Sequence, residues 1–171
     1  MDVKNKRVVV TGAASGIGKA LCEAFYQAGA QSLIAVDMNL DGAQETADSV
    51  NGIAIQANVG NEKDIINVIK KADEHVDGTD IFCSNAGIGG VPGFFEVEAS
   101  DWQNIWDVNV QSHIFAAKHV LPQMIERGEG YLVNTSSAED SPPKLPPKTI
   151  QFVHPAVNIA AEMPHRTMAA L

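Results

Sequence analysis

The residues best suited to chemistry lie in the octapeptide TGAASGIG, residues 11–18, between the β-branched run RVVVT (7–11) and an amphipathic stretch. Glycine at 12 lets the chain turn sharply, and glycines at 16 and 18 let backbone and ligand approach with no Cβ between them. A helix starting here offers unpaired N–H groups and the positive end of its dipole, which suit a pyrophosphate. The spacing is G-x-x-x-G-x-G rather than G-x-G-x-x-G. An ordinary glycine-rich turn is the plain alternative, and the strand before and helix after argue against it. Asp37 stands nineteen residues beyond Gly18, after a second apolar run, SLIAV at 32–36. A carboxylate there accepts hydrogen bonds from both hydroxyls of an adenosine ribose and repels a 2′-phosphate. Its neighbours Met38 and Asn39 provide no cation to hold such a phosphate. The expected ligand is therefore NAD rather than NADP, against the alternative of a solvated aspartate in a loop.

Alternating elements position these groups. After the strand at 7–11, residues 16–28 read as a helix with Ile17, Leu21, Ala24, Phe25 and Ala28 on one stripe, stopped by Gly29. Strands follow at 32–36, 53–56, 80–84 and 131–134, and helices at 40–49, at 62–74 and from Ser100. The 62–74 helix turns Ile65, Ile66, Ile69 and Ala72 inward, and a Ser100–Gln103 capping box opens the long one. Strands separated by helices imply right-handed crossovers and a parallel sheet covered on both faces. The predicted fold class is α/β: a Rossmann-like doubly wound parallel sheet of about five strands in the order 3-2-1-4-5, incomplete on its C-terminal side.

Composition bounds the function. The chain has 171 residues, 45% apolar and 19% charged, with a net charge of −9. Such acidity disfavours nucleic acid and anionic membranes as partners. No apolar run approaches the ~20 residues of a membrane span, and the polar residues 1–7 before the first strand lead to the expectation of no signal peptide. A cytoplasmic location is expected. Cys22 and Cys83 sit in apolar contexts without metal-ligand spacing and read as reduced core thiols. Trp102, Trp106 and Phe115 read as packing residues, and His113 and His119 as structural ones. All fourteen glycines lie at or before Gly130, and six of eight prolines lie after Ala138. The shift divides the chain into a dinucleotide-binding domain at 1–137 and a proline-rich, largely irregular tail at 138–171.

As a set, TGAASGIG, Asp37, SNAG at 84–87, DVN at 107–109 and NTSS at 134–137 closely resemble the short-chain dehydrogenase/reductase family, in its order and spacing, over about four fifths of the chain. The resemblance implies that Gly12, Ser15, Gly16, Ile17 and Gly18 line the pyrophosphate and adenosine side of NAD. Asn58 and Val59 would flank the adenine, although the family more often has aspartate at the first of these. Asn85, Ala86 and Gly87 would pass beneath the cofactor and stabilise the central sheet. Asn109 resembles the asparagine that helps hold a water in the proton relay, and Ser137 the serine that polarises the substrate oxygen. Each has a bland alternative: Asn109 as a structural amide bonded to backbone, Ser137 as a serine that merely ends a strand.

One part of the family pattern is missing. Its acid/base is a tyrosine, with a lysine four residues later, on the helix after the serine. The two tyrosines here, Tyr26 and Tyr131, both precede Ser137, and the usual spacing falls on Ile150 and His154. The run SPPKLPP at 141–147 cannot be helical through its interior. A dehydrogenase front end joined to a truncated or altered tail is the expectation. Two functions follow from it. One is hydride transfer between NAD and a small-molecule secondary alcohol or ketone, impaired in this chain. The other is a non-catalytic dinucleotide-binding or interaction module, forming a homo- or hetero-oligomer through the 100–127 helix, or a truncated by-product.

Overall fold

A computed structural model describes residues 3–89 and 96–136; Ser137, the 138–171 tail and the loop at 90–95 lie outside the described residues. Every strand and helix among the described residues belongs to the unit Met1–Thr135. The strands are β1 (Arg7–Thr11), β2 (Ser32–Asp37), β3 (Ile53–Gln56), β4 (Ile81–Ser84) and β5 (Tyr131–Asn134). They form one sheet in the order β3-β2-β1-β4-β5, with every pair parallel. This is the predicted doubly wound order. It reverses direction between β1 and β4, where the carboxyl ends of the two strands open a crevice.

The helices are α1 (Gly16–Gln27), α2 (Leu40–Ser49), α3 (Glu62–Val76), α4 (Ala99–Trp106) and α5 (Ser112–Arg127), with a π turn, Asp107–Gln111, joining the last two. Side chains alternate across the sheet. Val8, Val10, Leu33, Ala35, Ile81 and Cys83 face one way, with Cys22 of α1 and Ala47 of α2. Val9, Ile34, Val36, Ile55 and Phe82 face the other, against α3 and α5. Both faces of β1 and β2 are covered, which is why they read as continuous apolar runs, whereas Tyr131 and Val133 of β5 are exposed. No described helix is long and apolar enough to cross a membrane.

Several details differ from the sequence expectation. The buried residues of α1 are Gly18 and Cys22, while Ile17 is 65% exposed and Ala24 and Ala28 lie in solvent. Gly18 and Cys22, four residues apart, therefore mark the inward face of α1. In α3, Val68 takes the inward place expected of Ile66, which is exposed. Trp106 is exposed rather than packed. The long helix is broken at 107–111, and it starts after Glu98, whose N–H donates to the Asp101 carboxylate at 2.9 Å; the Ser100–Gln103 box is not the cap. Asp37 is the last residue of β2 and not the first of the loop.

At the opposite, amino-terminal edge of the sheet, Arg7 grips Asp80. Its Nε and Nη2 donate to the two carboxylate oxygens at 2.8 and 2.6 Å, and its backbone N–H donates to Oδ2 at 2.9 Å. Both side chains are largely buried, and Arg127 of α5 stands 3.8 Å from the same carboxylate. The Arg7 hydrogen bonds hold the Asp80 carboxyl down to about 2, below its usual 3.8. A depressed folded-state value adds stability that is complete above the unfolded value and is lost as pH falls through the folded one. Asp80→Asn should therefore cost about 2 kcal/mol at neutral pH and make the stability change between about pH 4 and pH 2 smaller by a similar amount. Urea unfolding at both ends of that range checks this.

Candidate functional site

The first wall of the crevice is the turn from β1 into α1. Gly12 has φ +69°, a conformation that L side chains rarely adopt, and a Cβ on it would stand 2.8 Å from the Ala86 Cα. A Cβ on Gly18 would stand 2.0 Å from the Gly12 carbonyl oxygen, so only glycine lets the helix start this close to the strand. Ser15 takes the N-cap position in extended conformation, and no side chain caps the helix. The N–H groups of Gly16, Ile17 and Gly18 therefore lie outside the intrahelical ladder. That cradle fits an anionic diphosphate.

The floor is a hydrogen-bond lock between β1 and β4. The Thr11 hydroxyl donates to the Cys83 carbonyl at 3.2 Å and accepts the N–H groups of Asn85 and Ala86 at 2.9 and 3.1 Å. One donor and two lone pairs are all that a hydroxyl has. Asn85 completes the lock: its amide nitrogen donates to the Thr11 carbonyl at 3.0 Å, and its oxygen accepts the Thr135 hydroxyl at 2.9 Å. Asn85 and Ala86 thus tie β4 to β1, and Asn85 ties it to the end of β5. Thr11 and Thr135 fall inside the quoted TGAASGIG and NTSS segments, but neither is among the candidate site residues, because Thr11 reads as the last strand residue and Thr135 as the first residue after a strand. The threonine immediately before the first glycine was the available signal.

The second wall comes from β2 and β3. Asp37 Oδ2 accepts the Ala14 N–H at 3.0 Å and Oδ1 accepts the Asn39 N–H at 2.9 Å. Each oxygen keeps a free lone pair for a ligand hydroxyl, so the carboxylate both holds the glycine turn and faces the groove. Among the described residues lining this groove, which include Gly12, Met38, Asn58, Val59 and Gly87, Asp37 carries the one formal charge. Asn58 is occupied by its own loop: its N–H donates to Asp64 at 2.9 Å and its amide oxygen accepts the Gly60 N–H at 3.0 Å. Val59 is buried and lines the groove.

The third wall is the strand end Ala86–Ile88, braced by Asn109. The Asn109 amide donates to the Ile88 carbonyl and accepts the Ile88 N–H, both at 2.8 Å. A planar amide paired with one backbone unit in this way fixes that unit's orientation. Asn109 sits in the π turn and is half-buried, and Val108 beside it lines the groove. Ser137 lies outside the described residues, so its position relative to Asn109 does not enter. The two thiols are inert: burial pushes both Cys22 and Cys83 up to about 12.

The groove thus has the Asp37 carboxylate beside the glycine turn, with Gly12 and Gly87 in its lining, and the uncapped start of α1 follows two residues beyond Ala14. Known proteins are similar to this chain in sequence and fold. The family model described as short chain dehydrogenase matches residues 6–143 of the chain. The chain is 31% identical over 158 residues to glucose 1-dehydrogenase 2 of Bacillus subtilis, covering 88% of this chain and 60% of that protein. It is 32% identical over 139 residues to a 3-oxoacyl-acyl-carrier-protein reductase of Vibrio cholerae, covering 80% and 57%. A crystal structure of a short-chain type dehydrogenase/reductase from Mycobacterium marinum matches with a TM-score of 0.86 at 26% identity, covering 99% of this chain and 70% of that one. The chain spans about three fifths of the length of the curated relatives it matches.

Gly18→Ala should lower stability by roughly 1–3 kcal/mol and abolish dinucleotide binding, because α1 must move off the turn to admit the methyl group. Gly16→Ala meets no neighbour and strains only a φ of +53°, so it should cost about 1 kcal/mol. Paired denaturant melts check the ranking.

Proposed function

Because the chain belongs to the short-chain dehydrogenase family, whose members bind a nicotinamide dinucleotide, we propose that its groove binds NAD in preference to NADP. Asp37 carries this reading: it is the one charged residue among the described groove-lining residues, held in place by two backbone N–H groups. A 2′-phosphate brought beside it would meet a like charge with no cation in the lining to offset it. The first turn of α1 supports the reading at the diphosphate, and Gly12 and Gly87 let the ligand lie against backbone.

When bound, the nicotinamide supplies or accepts the hydride in exchange with a secondary alcohol or ketone. The chain's own residues would do the rest. Gly16, Ile17 and Gly18 hold the diphosphate, Asp37 holds the ribose, and Asn58 and Val59 border the adenine. Ala86 and Gly87 support the reactive end, and Asn109 keeps their continuation at Ile88 in place. Ser137 is proposed to hold the substrate oxygen. No Tyr-x-x-x-Lys occurs in the 171 residues, so the proposal for this chain by itself is dinucleotide binding with little turnover.

A second reading, a non-catalytic module that pairs with a longer relative in the cytoplasm, is favoured by one observation. Ile114 and Ile125, eleven residues apart and so on one stripe of α5, are 47% and 70% exposed. Co-purification with a longer relative supports it, and a strictly monomeric protein counts against it.

Titrating the full chain with NADH and with NADPH, followed by nicotinamide fluorescence, tests the first reading. Saturable NADH binding at least about tenfold tighter than NADPH binding is expected. Asp37→Ala should weaken NADH by roughly tenfold or more and narrow the ratio, since it removes a charge-assisted pair of hydrogen bonds. An unchanged ratio contradicts the role of Asp37.

A further inference from the structure

The π turn carries a substitution of one hydrogen bond for another. In an α-helix the N–H of residue 112 would donate to the carbonyl of residue 108, four positions back. Here the Ser112 N–H donates to the Asp107 carbonyl, five back. The Ser112 hydroxyl stands in for it, donating to the Val108 carbonyl at 2.6 Å. Ser112 is 2% exposed and Val108 8%, so the Val108 carbonyl has little access to water and needs a protein donor. A serine side chain is short enough to reach the carbonyl four residues back, and alanine, valine or leucine at this position would leave that bond unmade.

The wide turn also touches two walls of the groove at once. Asn109 pairs with Ile88 on one side. On the other, a Cβ on Gly60 would come within 3.2 Å of the Asp107 Cβ and 3.4 Å of Val108 Cγ2, so the turn lies close against the β3–α3 loop. Val108 itself lines the space between them. Returning the segment to the α register would rotate everything before it by roughly 100° relative to α5. Asn109 would then leave Ile88, and Val108 would leave the groove.

We infer that Ser112 is the positioning residue of this site: its hydroxyl holds the π turn, and the turn holds Asn109 against Ile88 and Val108 in the groove. Ser112 lines no part of the groove and acts only through the turn. The inference rests on the dinucleotide reading for its effect on binding, and on geometry alone for its effect on Ile88.

The test measures amide hydrogen exchange at Ile88 and NADH affinity in the full chain. Ser112→Ala should speed Ile88 exchange and weaken NADH binding by about tenfold or more each, the loss of one to two hydrogen bonds. Ser112→Thr keeps a hydroxyl able to reach the same carbonyl and should restore both to within about threefold. Asn109→Ala should copy the Ser112→Ala effect at Ile88, and the double variant should be no worse than either single one. Ile88 exchange within about twofold of the parent in Ser112→Ala, or additive losses in the double variant, overturns the inference. If Ser112→Ala does not fold, Ser112→Thr decides: Ile88 exchange as fast as in Asn109→Ala overturns it, and parent-like exchange supports it. If the parent chain does not bind NADH, the dinucleotide reading fails while the Ile88 measurement still decides the role of Ser112.

Discussion

One hydroxyl, that of Thr11, governs the geometry of the site. It is 1% exposed, and its single donor and both acceptor positions are spent on the end of β4. The strand order reverses between β1 and β4, so these two strands have no crossover helix joining them directly. Without side-chain bonds their ends would be free to splay where the ladder of backbone hydrogen bonds runs out. Thr11 and Asn85 close that gap. Once the gap is closed, Ala86 lies close enough to Gly12 that only glycine fits there, and α1 begins close enough to β1 that only glycine fits at position 18.

The remaining walls are built outward from this lock. β2 reaches the glycine turn through two contacts, the Val36 carbonyl accepting the Ala13 N–H and Asp37 accepting the Ala14 N–H. The carboxylate proposed to select the ligand is therefore also a structural strut, which limits how it can be replaced. On the far side the π turn takes up an extra residue so that one helix can touch both the β3–α3 loop and the β4 extension. A uniform α-helix would present one face to one neighbour. The wider turn serves two, which is in keeping with the frequent use of such turns at functional sites.

How much of this was legible in the sequence follows from the range over which each signal acts. The strand runs at 7–11 and 32–36 and the glycine turn were legible because their cause is local: buried β-branched residues, and backbone that no side chain can enter. The sheet order followed from alternation and chirality. Which face of α1 is buried was less legible, because the inward face is marked by the small residues Gly18 and Cys22 while Ile17, which has the right period, is exposed. Ile66 and Val68 are two positions apart, and periodicity alone chose the wrong one. The π turn had no signature at all, since DVNVQ reads as continuous helix and its cause is a tertiary demand. The brace from Asn109 to Ile88 spans 21 residues and could not be read from either segment.

The most direct measurement is the NADH affinity of Thr11→Val, a change that keeps the shape of the side chain and removes the hydroxyl. Losing it leaves the Asn85 and Ala86 N–H groups without their acceptor, at roughly 1–3 kcal/mol each if they stay buried. If the β1–β4 lock sets the site, a folded Thr11→Val protein should bind NADH at least about tenfold more weakly than the parent. A folded variant that binds NADH as tightly as the parent would show that the crevice keeps its shape without the lock.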